Sequence, residues 1–162
     1  MKSIDKIVSS IKSSGVPIVD WIERLPKLTH RYSDQLLVEI AKLNVVQDPW
    51  LLECLLLIAS RDGLTKSYTR ILCDLLKYDW HESHEDIVMM LEEIRDPSCI
   101  NALYETALTI PNYDDGRGLA RKCIWALGAI NTELAVEKLI TLSSNQDPII
   151  SEVARMQLDS RT

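Results

Sequence analysis

Apolar residues recur along this chain at the spacing of one face of an α-helix. Ile87, Met90, Leu91 and Ile94 stand at positions i, i+3, i+4 and i+7, and the same spacing begins again at Ile100. Such spacing puts apolar side chains on one side of a helix, whereas a half-buried strand needs residues that alternate. Alternation of useful length occurs nowhere in the 162 residues. The sequence therefore predicts an all-α fold.

Helix starts are marked by aspartate followed by proline. The pair occurs at 48–49, 96–97 and 147–148. The carboxylate can cap backbone N–H groups, and proline suits the first helical position because it has no N–H to leave unpaired. Further signals are the candidate N-caps Ser33, Ser83 and Thr132, an approximate capping box of Ser83 with Asp86, and helix ends at Gly15 and Gly63. Together they predict helices near residues 3–13, 17–26, 34–45, 49–61, 66–78, 84–95, 97–109, 117–130, 132–143 and 148–159.

The predicted helices form a repeating pair. Alternate starts, at 34, 66, 97 and 132 and at 49, 84, 117 and 148, follow one another at intervals of 31 to 35 residues. A helical hairpin cannot cover its own apolar face, so such units must stack. The chain is thus predicted to be one domain, 1–162, of about five stacked hairpins. Residues 1–33 form an atypical amino-terminal cap, and 83–158 contain the clearest repeats.

The carboxy-terminal third carries a family resemblance, in the segment DDGRGLARKCIWALGAIN followed by TELAVEKLITLSSNQDPIISEVARMQL. A small-x-x-small-Leu pattern is formed by Cys123, Ala126 and Leu127 in the first unit and by Ala154 and Leu158 in the second, in which Gln157 departs from it. This pattern resembles that of HEAT repeats, although the unit is shorter than the ~40–47 residues usual for them. The resemblance implies a HEAT-like α-solenoid with Leu127 and Leu158 as core residues shared between units. It implies a scaffold and says little about activity.

Two histidines raise the question of a metal site. His81 and His84 lie three residues apart, beside Glu85, in the sequence HESHE. A zinc-protease helix needs H-E-x-x-H, and an N-cap at Ser83 would leave His81 outside the helix. We therefore interpret the pair as solvated histidines at a turn that bind no metal. The sequence has no phosphate-binding loop, EF-hand or Cys-x-x-Cys signature, so it predicts neither a catalytic site nor a cofactor.

Acidic residues are concentrated in one part of the chain. Residues 74–115 contain eleven acidic residues and two basic ones, whereas the rest contains 13 acidic and 16 basic residues. On the predicted helix 84–95, Glu85, Met89 and Glu92 lie opposite the apolar stripe, which indicates an acidic, solvent-facing stripe with a methionine at its centre. Such a stripe is either a solvated face or a docking surface for a basic partner. The residues assigned to partner binding are Asp79, Trp80, Glu82, Glu85, Asp86, Met89, Glu92, Glu93, Tyr113, Asp114 and Asp115. The other tryptophans, Trp21, Trp50 and Trp125, are predicted to lie in the core.

The partner predicted from this charge pattern is a basic protein. Nucleic acid is disfavoured as a direct ligand, because phosphate binding needs a Lys/Arg patch and the net charge here is −6. Enzymes that cut nucleic acid are basic for the same electrostatic reason. In size, acidity and repeat class the chain is similar to helical immunity proteins of bacterial contact-dependent toxin systems. That resemblance implies a protein that neutralises a basic nuclease toxin by covering its active site or substrate groove. The alternatives are a general interaction scaffold or assembly factor and, from a different class, a metal-dependent or HEAT-like enzyme.

Neither export nor membrane contact is expected. Asp5 and Lys6 interrupt the apolar residues of the amino end, which therefore lacks the continuous apolar stretch of a secretory signal. The most apolar run, residues 50–59, is about half a bilayer span and contains Glu53. The cysteines, each in an apolar-periodic segment typical of a buried thiol, are Cys54, Cys73, Cys99 and Cys123. These features favour a cytoplasmic protein.

Overall fold

Every regular element in the computed structural model, which describes residues 3–114 and 116–161, is helical. The α-helices are α1 Ile4–Ser14, α2 Trp21–Arg24, α3 Ser33–Val46, α4 Pro49–Asp62, α5 Thr69–Leu75, α6 His84–Ile94, α7 Ile100–Ala107, α8 Gly118–Ala129, α9 Glu133–Ser143 and α10 Pro148–Asp159. Turns of 3₁₀-helix, Ile18–Asp20, Lys66–Tyr68 and Pro97–Cys99, lead into α2, α5 and α7. The prediction of an all-α fold is confirmed. Among the described residues, no helix has both the length and the apolar character that crossing a membrane requires.

The Asp-Pro signals act as predicted. The carboxylates of Asp48, Asp96 and Asp147 each accept a hydrogen bond from a backbone N–H two or three residues further on, at 2.9 to 3.1 Å. The Thr132 hydroxyl likewise accepts from the Ala135 N–H at 3.3 Å. These caps satisfy N–H groups that the first turn of a helix leaves without partners.

The predicted cap at Ser33 and the predicted capping box at Ser83 are wrong, although Ser83 does occupy the N-cap position of α6. Ser33 is the first residue of α3 and not its N-cap. Ser83 precedes α6, but its side chain makes no capping hydrogen bond, so it does not form the capping box predicted with Asp86.

The connection that leads into α3 is bound by a carboxylate from another helix. Asp62, the last residue of α4, is 1% exposed. Its oxygens accept from the backbone N–H groups of Arg31 at 2.7 Å and Tyr32 at 3.0 Å, and from the Ser33 hydroxyl at 3.0 Å. Gly63 then ends α4 with a φ of 106°, where a Cβ would come within 2.6 Å of the His30 ring. The connection before α3 is thereby held against the end of α4.

The helices from α3 onward pack as pairs in two layers. Each of α3, α5, α7 and α9 contacts the helix that follows it, and α4, α6, α8 and α10 contact one another in that order. Ahead of these pairs, α1 buries Ile4, Ile7 and Ile11 and packs against α4. The α4–α6–α8–α10 layer therefore runs through the molecule, with the amino-terminal segment on its α4 end.

The residues predicted to lie in the core differ in how deeply they are buried. Leu127 is 0% exposed, and Leu158 is partly buried against the core. Trp21 and Trp50 also pack partly buried against it. Trp125 is 44% exposed, so its placement in the core was wrong. It follows Cys123 by two positions, about 200° around α8, and therefore points away from the buried stripe.

Candidate partner-binding cleft

A cleft of about 320 Å³ opens beside the acidic helix α6. Its walls are α4, α6 and the short segment formed by the turn Ile18–Asp20 and α2. The cleft therefore lies where the amino-terminal segment meets the α4–α6 part of the continuous layer.

The two long walls present the same spacing of side chains. The residues that α4 contributes are Glu53, Leu56, Leu57 and Ser60, and those that α6 contributes are Asp86, Met89, Met90 and Glu93. Both sets stand at i, i+3, i+4 and i+7. Such a set covers two turns of one helix face, about 10.5 Å along the axis. The cleft is thus a groove between two helices, with apolar side chains in the middle of each wall.

The apolar lining reaches the surface. Leu56, Leu57 and Met90 are buried, whereas Val19 is 67% exposed and Met89 51% exposed. Isolated exposed apolar residues are ordinary, but a concave set that continues a buried floor is typical of a binding site. Methionine suits such a surface because its flexible thioether adapts to different contacts.

Three carboxylates rim this groove without a cationic partner among the residues that the structure describes. Glu53, Asp86 and Glu93 are exposed. The ion pairs of the described residues involve the carboxylates of other residues, namely Glu39, Asp74, Glu85 and Asp147. The groove therefore carries uncompensated negative charge.

The carboxylates at one end of the groove act on one another. The pKa of Glu53 is raised above its usual value, first by partial burial of the carboxyl and then by the negative charges of Asp86 and Glu82. Glu53 and Asp86 border the same groove, and Glu93 lies two turns further along α6 than Asp86. A cation placed at the Glu53–Asp86 end would relieve this repulsion.

Two predicted residues of the acidic stripe lie outside the groove. Glu85 forms an ion pair with Lys122 of α8 at 2.6 Å, and the Lys122 ammonium is also 3.6 Å from the Met89 sulfur. Glu92 is partly buried on the same helix and does not line the groove. The charge of Glu85 is thus already compensated within the protein.

Asp114 is a structural cap. It is 7% exposed, and its two oxygens accept from the backbone N–H groups of Gly118 at 2.7 Å and Leu119 at 3.0 Å. This carboxylate stabilises the start of α8 and presents little charge to a partner, which corrects its assignment to the partner surface. Asp115 lies outside the described residues.

The histidines are buried, and their interpretation as solvated residues was wrong. His81 is 2% and His84 6% exposed, and their rings stack with centroids 4.5 Å apart. Trp80 packs edge-on against His81 at 4.7 Å, and Tyr113 stacks on His84 at 5.9 Å. The stack joins the connection before α6, which contains Trp80, to the connection before α8, which contains Tyr113. Each of these two rings packs against a histidine.

Each ring nitrogen of His81 and His84 already has a hydrogen-bond partner. His81 donates from Nε2 to the Leu75 carbonyl at 3.1 Å and accepts at Nδ1 from the Ser83 N–H at 3.2 Å. His84 donates from Nε2 to the Tyr78 carbonyl at 2.8 Å, and the Tyr113 hydroxyl lies 2.6 Å from its Nδ1. A metal ion would have to displace these bonds. In the part of the chain that the structure describes, no three or more His, Cys, Asp or Glu side chains are arranged to hold one.

The predicted partner residues therefore fall into separate groups. Asp86, Met89 and Glu93 line the groove. Asp79, Glu82 and Tyr113 line a second cavity of about 640 Å³ beside the histidines, next to Trp80.

The sequence reasoning missed the whole α4 wall and the Ile18–Asp20 segment. Glu53, alone among the apolar residues 50–59, was the signal that could have identified α4.

No protein-family model matches the sequence, and a search of curated proteins and of solved structures finds no match either.

Proposed function

We propose that the protein is a binding module that receives a basic partner protein in the groove between α4 and α6. The observation that carries this proposal is an exposed apolar groove rimmed by three carboxylates that have no cationic partner within residues 3–114 and 116–161. Opposite charge steers association and suppresses wrong partners, while the apolar floor supplies the contact area that affinity needs. A solvated face needs no apolar groove.

The partner in this proposal is a basic nuclease toxin, and the protein is its immunity protein, without catalytic activity of its own. A nuclease gathers positive charge to bind phosphate. An acidic surface laid over that charge would exclude the substrate. The two-layer packing of helix pairs, at intervals of 31 to 35 residues, supports a HEAT-like solenoid as the framework. Free thiols at all four cysteines agree with action in the bacterial cytoplasm.

The test is capture from the native host followed by a cleavage assay. The tagged protein is compared with the double variant Asp86→Lys/Glu93→Lys. The matched control, Glu137→Lys/Glu152→Lys, makes the same charge change on exposed residues of α9 and α10. We expect the wild type and the control to retain a basic nuclease and stop its cleavage of DNA or RNA at equal stoichiometry, and the groove variant to do neither.

The same assay separates the alternative function. A scaffold or assembly factor would retain its partner through the same groove but leave any nuclease activity unchanged. Loss of binding in the α9/α10 control as large as that in the groove variant would contradict the proposed site.

A further inference from the structure

We propose that the groove takes an amphipathic α-helix of the partner, with an apolar stripe facing the floor and cationic side chains seven residues apart. This inference rests on the proposed function and names the partner segment that the groove fits.

The walls have the shape that a helix packs against. Side chains of α4 and α6 line the groove at the same helical spacing over two turns. Both strips border one groove, so each wall presents the side chains of a single helix face. Helices pack by laying side-chain ridges into the grooves of their neighbours, and partner helices bind proteins by laying an apolar face into such a groove.

The charges set the pattern of the occupant. Asp86 and Glu93 are seven residues apart on α6, which is about 10.5 Å along the helix axis. A helix lying along the groove would bring cationic side chains at its own positions i and i+7 to these two carboxylates. Between them, side chains at i+3 and i+4 would face Met89 and Met90.

The exposed lining identifies where contact area would be gained. Met89, Val19 and Ile22 are 51%, 67% and 47% exposed; Met89 stands on the α6 wall and the other two on the amino-terminal wall. A helix between those walls would cover all three. In an extended segment, at about 3.3 Å per residue, side chains alternate between faces, so only cations two or four residues apart would share the face toward the carboxylates, and fewer side chains would meet the floor.

Synthetic peptides of about 15 residues, the length at which an isolated helix becomes measurable, test this directly against the full chain. The first peptide has lysines at i and i+7 and leucines at i+3 and i+4. The second has the same composition with lysines two residues apart, which share a face of an extended segment but not of a helix. The third moves the leucines to the opposite helix face, and the fourth replaces the lysines with glutamates. Fluorescence anisotropy of the labelled peptides gives the affinities.

We expect the first peptide to bind at least about tenfold more tightly than the third and fourth, and more tightly than the second. Equal or tighter binding of the second would show an extended occupant and overturn the inference. Equal binding of the third would show attraction by charge alone, and it would also overturn the inference, as would an absence of binding by all four.

Variants of the protein then locate the binding. Asp86→Asn with Glu93→Gln, and separately Met89→Ala, should each weaken the first peptide about tenfold. Glu137→Gln with Glu152→Gln, and Met156→Ala on α10, are the matched controls and should leave its affinity unchanged. All these side chains are exposed, so circular dichroism should show the same helix content throughout. Equal losses in the controls would place the peptide elsewhere.

The two proposals fail in different ways. If the first peptide binds selectively but no nuclease is retained from the host, the inference of a helix-binding groove stands and the proposed inhibition of a toxin is wrong. If a nuclease is retained and inhibited but no peptide binds, the proposed function stands and the inference of a helical occupant is wrong.

Discussion

Protonation of His81 would break the hydrogen bond that its Nδ1 accepts from the Ser83 N–H. The ring is 2% exposed, and burial together with the neighbouring His84 lowers its pKa from 6.5 to about 4. The unfolded chain therefore binds a proton that the native chain does not, between about pH 6.5 and 4. Stability from this residue is fully present above pH 6.5 and is lost as the pH falls through that interval.

We predict that acidification from pH 7 to 4 costs up to about 3 kcal/mol of unfolding free energy through His81. Urea unfolding at pH 7, 5.5 and 4.5 measures it. The comparison is with His81→Asn, which cannot titrate in this range, so that acid effects on the carboxylates appear in both proteins. Identical pH profiles for the two would show that His81 is not the group responsible.

Leu127 lies on α8 and has no exposed surface. We predict that Leu127→Ala costs about 2–5 kcal/mol, because it removes buried methyl groups and leaves a cavity. Leu158→Ala should cost less, since Leu158 is only partly buried. Urea denaturation gives both values, and a loss below about 1 kcal/mol at Leu127 would mean that the site collapses or that the packing is different.

At the scale of the element, α4 carries a residue that opposes the stability of the free protein. Ionised Glu53 is disfavoured in the native state by partial burial and by Asp86 and Glu82. Its raised pKa means that the native chain binds a proton more tightly than the unfolded chain does, so its contribution to stability decreases as the pH rises through that pKa.

We predict that Glu53→Gln raises the melting temperature at pH 7 and weakens the binding of the basic partner. Both effects follow from removing one charge of a repelling pair that a partner cation would neutralise. Differential scanning fluorimetry and a binding titration measure the two. A variant that loses stability would show that Glu53 supports the fold instead of the site.

On α6, Met89 should act differently from the carboxylates. Met89→Ala removes apolar contact at the centre of the groove without changing charge. We therefore predict about tenfold faster dissociation of the partner with an unchanged association rate. Kinetics on an immobilised partner separate the two rates, and Met156→Ala is the control. A slower association as the main effect would contradict a packing role.

Features set by neighbouring residues could be predicted from the sequence, and features set by distant ones could not. Asp48 and Asp147 cap helices whose first turns follow them directly, so their roles are local. The groove needs α4 and α6 side by side, which no periodicity reveals. The burial of His84 depends on Tyr113, which comes from a connection 29 residues away. Of the residues predicted to form the stripe on α6, Met89 lines the groove and Glu85 and Glu92 do not.

Packing between repeats shows the same limit. Gln157 departs from the small-residue pattern of its repeat. In the structure it faces Gly128, where a Cβ would overlap the Gln157 amide. A glycine on one helix thus accommodates the larger side chain on the next. The sequence pattern identified residue 157 as unusual, but only the packing of α8 against α10 explains why a glutamine fits there.

At the scale of the whole molecule, negative charge is compensated unevenly. The net charge is −6. Lys122 neutralises Glu85, and Arg117 pairs with Asp147 at 2.8 Å. The carboxylates of the groove have no such partner among the described residues, so a basic protein approaching the surface would be attracted there. Attraction between exposed charges is screened within about 8–10 Å at physiological salt.

The most direct measurement is the association rate constant of the isolated basic partner at low and high salt. The wild type should associate quickly at low salt and more slowly as salt increases. The double variant Asp86→Lys/Glu93→Lys should associate slowly, with a weaker salt dependence, while Glu137→Lys/Glu152→Lys, with the same change in net charge, should resemble the wild type. Equal association rates for the two double variants at low salt would contradict the groove as the docking surface.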